Sequence, residues 1–157
     1  MQTHLTDDPR AVIDGVISAA RSTPNMPGSI DPYRDDIKRS FHNKDSLQSI
    51  IKSLSRENTS FATQTLEILQ NKSPISLAIT FEQLSRGRSL NFEETMKMEY
   101  RIVCRMVRGH DFFEGVRALI IDKDQNPKWS PASIEDITPE TIRDYFSPLL
   151  DGELALL

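Results

Sequence analysis

Hydrophobic positions recur along this chain with a spacing of three to four residues, and this spacing predicts helices nearly from end to end. Thr6 and Pro9 open a first helix running to about Arg21, with Val12, Ile13, Val16, Ile17 and Ala20 on one side. Ser22 to Ile30 holds two prolines, an asparagine and a glycine, and reads as a linker. Asp31 is expected to cap a short helix with Pro32 at its first position and Tyr33, Ile37 and Phe41 as its stripe. Leu47, Ile50, Ile51 and Leu54 form the plainest amphipathic pattern, behind a start at Asp45 or Ser46.

Asn58 or Thr59 opens the next helix, with Phe61, Thr65, Ile68 and Leu69 expected inward. Ser73 with Pro74 opens a fifth, closed by Gly87. Asn91 begins a long helix ending at Gly109, and Thr138, Pro139 and Glu140 open a short terminal one. Asp111 and Glu114 stand at capping-box spacing, in which the Asp side chain accepts the Glu amide and the Glu side chain reaches back. The β-rich stretch Val116 to Ile121 follows that box directly, so it is not read as a strand. The expected fold is all-α, with about eight helices: an N-terminal helix and linker over residues 1–30 and a helical domain over residues 31–157.

Composition narrows the function classes. A chain of 157 residues suits one domain with a real core. No apolar run approaches the roughly 20 residues of a membrane-spanning helix. The polar start, Met1 to Arg10 with Asp7 and Asp8, reads as neither a signal nor a transit peptide. One cysteine, Cys104, rules out an internal disulfide and a cysteine-based metal cluster. From Trp129 onward six acids face one base, Arg143, while the rest of the chain carries a net +1. The acidic tail reads as a solubilising end, and no concentrated basic face suggests nucleic acid.

The sequence holds no glycine-rich phosphate loop, no G-x-S-x-G elbow and no H-E-x-x-H, and its three histidines lack ligand spacing. No catalytic group, metal or cofactor is therefore expected in this chain. Glu99 falls between two apolar strips of the long helix: Met96, Tyr100, Val103 and Val107 on one side, Met98, Ile102 and Met106 on the other. This position predicts partial burial, as a paired structural carboxylate rather than a general acid. Lys97, Arg101, Arg105 and Arg108 share a narrow face, read as a solvated stripe or a contact for phosphate or an acidic partner. His110 reads as a neutral structural histidine, Cys104 and the methionines as packing, and Trp129 as the residue that returns the chain onto the helices.

Five stretches carry a family resemblance: Lys72 to Leu77, Met98 to Arg101, Arg108 to Phe112, Glu114 to Ala118, and Ile121 to Trp129. Together they resemble the C-terminal portion of the 3-hydroxyisobutyryl-CoA hydrolases, a branch of the enoyl-CoA hydratase/isomerase (crotonase) superfamily. Glu-Gly-x-x-Ala alone indicates the superfamily, and the Asp-Lys-Asp-x-x-Pro-Lys-Trp ending narrows it to the hydrolase branch. The resemblance implies a mitochondrial enzyme of valine breakdown that hydrolyses a CoA thioester, with an oxyanion hole of backbone amides and a Glu/Asp pair in a preceding β/α core. No stretch here resembles that core, so no catalytic residue carries over. The domain would cover the core, wall the CoA side of the pocket and take part in subunit contacts of a homo-oligomer. Lys123, with Lys128 behind it, stands near the position where many crotonases bring a lysine to the CoA nucleotide; the alternative is a surface lysine paired with Asp122 or Asp124. Because the family also resembles a mitochondrial ribosome-associated protein, the second reading is an assembly module that uses the basic stripe.

Overall fold

A computed structural model of the chain describes residues 8–21, 28–150 and 152–155. Among these residues the secondary structure is helical throughout, with no strand. Thr6, residues 22–27 of the linker, Asp151 and the side chain of Ala20 lie outside what is described. The chain divides into two compact units, Met1–Arg34 and Asp35–Leu157. In the first, α1 (Pro9–Arg21) carries an amphipathic sequence, but Val12, Ile13, Val16 and Ile17 are all exposed. A short 3-10 turn, Asp31–Tyr33, follows. Asp31 sits inside the turn instead of capping it, and its carboxylate takes the Gly28 amide and the Arg34 guanidinium.

The second unit contains α2 (Arg34–Phe41, entered from the first unit), α3 (Leu47–Arg56), α4 (Ser60–Gln70), α5 (Pro74–Gly87), α6 (Phe92–Met106), α7 (His110–Val116) and α8 (Pro139–Phe146). Hydroxyl caps start most of them. Ser46 accepts the Ser49 amide, Thr59 that of Ala62, Ser73 that of Ser76, and Thr138 that of Thr141. Each cap satisfies a helix-end N–H that would otherwise lack a partner.

Two apolar clusters hold this unit. Ile50, Leu54 and Ala62 are buried with Phe41, Phe61, Leu66, Leu69 and Phe81 packed around them. Ile75, Ile79, Met98, Ile102 and Phe146 form the second cluster, flanked by Met106, Ile142 and Tyr145. Helix α5 serves both, with Phe81 in the first and Ile75 and Ile79 in the second, so it is the spine of the unit. Ile68, expected inward, is exposed; the inner face of α4 is instead built on Ala62, Leu66 and Leu69.

The capping box lies elsewhere than the spacing at Asp111 suggested. It forms at Asn91 and Glu94, where each side chain accepts the other residue's amide, at 2.9 and 3.0 Å. At α7 the N-cap is Gly109 and no side chain caps the helix. The helix starts at His110, which places Asp111 within the first turn, and its carboxylate is drawn into the protein instead. Among the described residues no helix is long and apolar enough to cross a membrane.

Candidate functional site

The π-helical turn Arg117–Ile121 continues α7 and ends in the loop that carries both candidate lysines. The Asp122 amide bonds back to the Arg117 carbonyl at 2.8 Å, and the Gln125 amide to that of Ala118 at 3.1 Å. Arg117 then clasps the loop from below. Its Nε and Nη2 donate to the two Glu114 oxygens, its Nη1 to Asp122 and Asp124, and its Nη2 also to the Asn126 carbonyl. All five N–H groups of the guanidinium thus face an oxygen. Glu114 also accepts the Lys128 amide at 2.6 Å, so one carboxylate fixes the far end of the loop.

The electrostatics follow from that geometry. The Arg117 guanidinium, helped by the Lys128 amide, pulls the Glu114 carboxyl down to about 2. Arg117 and the Asn126 amide lower Asp124 as well. Glu114, then Asp124 and Asp122, raise Arg117 above its ordinary value. Two residues in the loop, Lys123 and Gln125, have left-handed backbones at φ 56° and 52°. Such a conformation costs a non-glycine residue about 1–2 kcal/mol, which the clasp must offset.

Lys123 is exposed at the loop tip. Among the described residues it forms no ion pair, because Asp122 and Asp124 both turn to Arg117. Lys128 is exposed too, with Nζ 3.0 Å from the Asn126 side-chain oxygen.

Beside the loop lies an open groove of about 980 Å³, lined by Lys72, Phe112, Leu119, Ile120, Asn126 and Trp129 among others. Trp129 packs the chain's return onto the helices, as expected, and lines the groove. Its indole donates to the Asn71 carbonyl and lies along Gly115. The groove is open, and Leu119, Ile120, Ile121 and Phe113 are each more than 60% exposed, an unusual run of large apolar side chains on a surface.

Asp111 is the buried polar hub under this region. One carboxylate oxygen accepts the Ser130 amide at 2.8 Å and stands 2.9 Å from His110 Nδ1. The other accepts the Ser73 hydroxyl, which itself caps α5. One side chain therefore ties together the starts of α5 and α7 and the loop at the cis Ser130–Pro131 peptide. Spacing pointed to Asp111, but for a different job. Burial raises the Tyr145 hydroxyl nearby, with the Asp111 charge adding to it.

Glu99 is exposed, not buried, and accepts the Gln83 side chain at 3.3 Å. The inward face of α6 runs through Met98 and Ile102, while Val103 and Val107 of the other strip lie open, so Glu99 is not enclosed. The basic stripe is partly taken by the chain's own end. Arg101 holds Glu153 through two guanidinium nitrogens and also bonds the Phe146 carbonyl. Arg105 bonds the carbonyls of Tyr145 and Pro148, and Lys97 pairs with Glu93. Part of the acidic tail is thereby a strap laid on α6, a role its composition did not reveal. Cys104 is half-buried, and its hydrogen bond to the Tyr100 hydroxyl is the main cause raising that group.

A family model described as enoyl-CoA hydratase/isomerase matches residues 1–146. Among curated relatives, the mitochondrial 3-hydroxyisobutyryl-CoA hydrolase of Bos taurus is 36% identical over 143 residues, covering 91% of this chain and 37% of the relative. That of Homo sapiens is 40% identical over 125 residues, covering 80% and 32%. Among solved structures, an enoyl-CoA hydratase from Rhodobacter sphaeroides 2.4.1 superposes with a TM-score of 0.76 at 32% identity, covering 95% of this chain and 46% of that one. A carnitinyl-CoA dehydratase from Mycobacterium thermoresistibile gives the same score and identity, covering 93% and 42%. The chain thus spans about a third of each of these hydrolases and less than half of each solved structure.

Proposed function

The chain belongs to the enoyl-CoA hydratase/isomerase family, and on that premise we propose that it is the C-terminal helical domain of a mitochondrial 3-hydroxyisobutyryl-CoA hydrolase of valine breakdown. In the complete protein it covers the β/α core, walls the CoA side of the pocket and contributes to subunit contacts. By itself it is inert, because the oxyanion hole and the acid/base pair belong to the core. The observation that carries this reading is the match to hydrolases over most of this chain but only 32–40% of theirs. The open aliphatic surface of the π-turn supports it, since a larger protein would cover such a surface. Within the domain, Lys123, with Lys128 behind it, meets the CoA nucleotide. Its exposure and its freedom from Asp122 and Asp124 favour that role over a plain surface pair.

The test is thiol release from 3-hydroxyisobutyryl-CoA. The chain alone should give the rate seen without protein, and adding a separately produced β/α core should restore turnover. Hydrolysis by the chain alone would contradict inertness, and a core that neither binds the chain nor gains activity from it would contradict the domain assignment.

A further inference from the structure

Arg117 faces solvent with about a third of its side chain; three of its donor bonds go to the loop that carries Lys123, at Asp122, Asp124 and the Asn126 carbonyl, and two to Glu114, which holds the loop's far end through the Lys128 amide. We propose that Arg117 is a positioning residue for CoA binding: it shapes the 122–128 loop and withdraws its acids, so that Lys123 is presented free to an anionic group of the nucleotide. This inference rests on the reading of Lys123 given above.

Two physical effects combine. The first is shape. Lys123 and Gln125 both hold left-handed backbones, and the clasp reaches Asp122, Asp124 and the Asn126 carbonyl on either side of them. A flat fork with five donors can span these acceptors, whereas a lysine offers three donors from one point. The second is charge. Asp122 and Asp124 flank Lys123 in sequence and would pair with it if released. The loop and its clasp hold three acids (Glu114, Asp122, Asp124) and three bases (Arg117, Lys123, Lys128), so the region is neutral as it stands. Without Arg117 it is net negative, which repels phosphate, and the nearest acids quench the one lysine at the tip.

The test is steady-state kinetics of the complete hydrolase carrying this domain, with two substrates. One is 3-hydroxyisobutyryl-CoA; the other is the N-acetylcysteamine thioester of the same acid, which lacks the nucleotide. Arg117→Met should raise KM for the CoA thioester roughly fivefold, the size of one partly exposed ionic contact. Its kcat should stay within about twofold, and the short substrate should show no change. In a Lys123→Ala background, Arg117→Met should add nothing further, since both act through one contact. Should Arg117→Met fail to fold, Arg117→Lys keeps the charge without the fork and is expected to raise KM in the same Lys123-dependent way.

Equal losses on both substrates, a fall in kcat, or effects that simply add to those of Lys123→Ala would overturn the proposal and leave Arg117 a general stabiliser. If Lys123→Ala raises KM and neither Arg117 variant does, positioning falls while the Lys123 contact stands. If Lys123→Ala changes nothing, the Lys123 contact itself fails, and the positioning role falls with it.

Discussion

Ser40 lies at the end of α2 with no solvent exposure, and its hydroxyl has no hydrogen-bond partner among the described residues. An unpaired buried hydroxyl loses its water without gaining a replacement, so Ser40→Ala should be neutral or stabilising, by up to about 1 kcal/mol. Urea denaturation checks this; a clear loss of stability would show that the hydroxyl is satisfied in solution. Glu114 gives a pH signature of opposite character. Its folded value, about 2, lies below the ordinary 4.5, so its contribution is fully present above about 4.5 and disappears as the pH falls towards 2. Thermal melts across that window should fall less steeply for Glu114→Gln than for the unaltered chain, and equal slopes would mean the clasp does not hold in solution. Single residues were also where the sequence misled. Asp111 and Glu114 do sit three apart like a box, but helix α7 starts one residue before Asp111. Three of their actual partners, Ser73, Ser130 and Lys128, are distant in sequence or beyond the helix, where local spacing cannot show them; the fourth, Arg117, stands at i+3 from Glu114 and was within reach of a spacing argument.

At the scale of elements the sequence was far more legible. Ser46, Thr59, Ser73, Asn91 and Thr138 start helices where their side chains and the following periodicity indicated, because capping is a local interaction. The box at Asn91 and Glu94 makes this testable. Asn91→Ala should cost about 1 kcal/mol, and Glu94→Ala on top of it little more, since the two bonds are reciprocal. Strictly additive losses in chemical denaturation would argue against the pairing. Elements that depend on tertiary context were hidden. The acidic tail looked like solvated charge, yet Glu153 accepts Arg101 and the Leu149 amide and so fastens the strap to α6. Glu153→Gln should leave the helix content unchanged and speed proteolysis between Phe146 and the C-terminus. Unchanged cleavage would mean the carbonyl bonds of Arg105 suffice to hold the strap.

Among the described residues the second unit is all-α, and its two clusters account for most of its buried apolar residues, yet it leaves a ridge uncovered. Leu119, Ile120 and Ile121 are 63%, 65% and 69% exposed, beside Phe113 at 61%. Helical periodicity marks which side chains are apolar, but not whether a neighbour outside the chain buries them. If the ridge exists to meet the β/α core, a charge placed on it should separate folding from docking. Ile120 is mostly exposed and Ile120→Glu removes little internal packing, so the chain's own stability should shift by no more than about 0.5 kcal/mol. Docking should suffer far more, because a carboxylate buried against an apolar surface without a partner costs several kcal/mol. In the complementation assay the variant should therefore remain folded by circular dichroism and fail to restore thioester hydrolysis with the separately produced core. A variant that restores activity as well as the unaltered chain would place the core on some other surface. Sedimentation separates the remaining case: if the chain without the core associates with itself, and Ile120→Glu turns it monomeric, the ridge also serves a second copy.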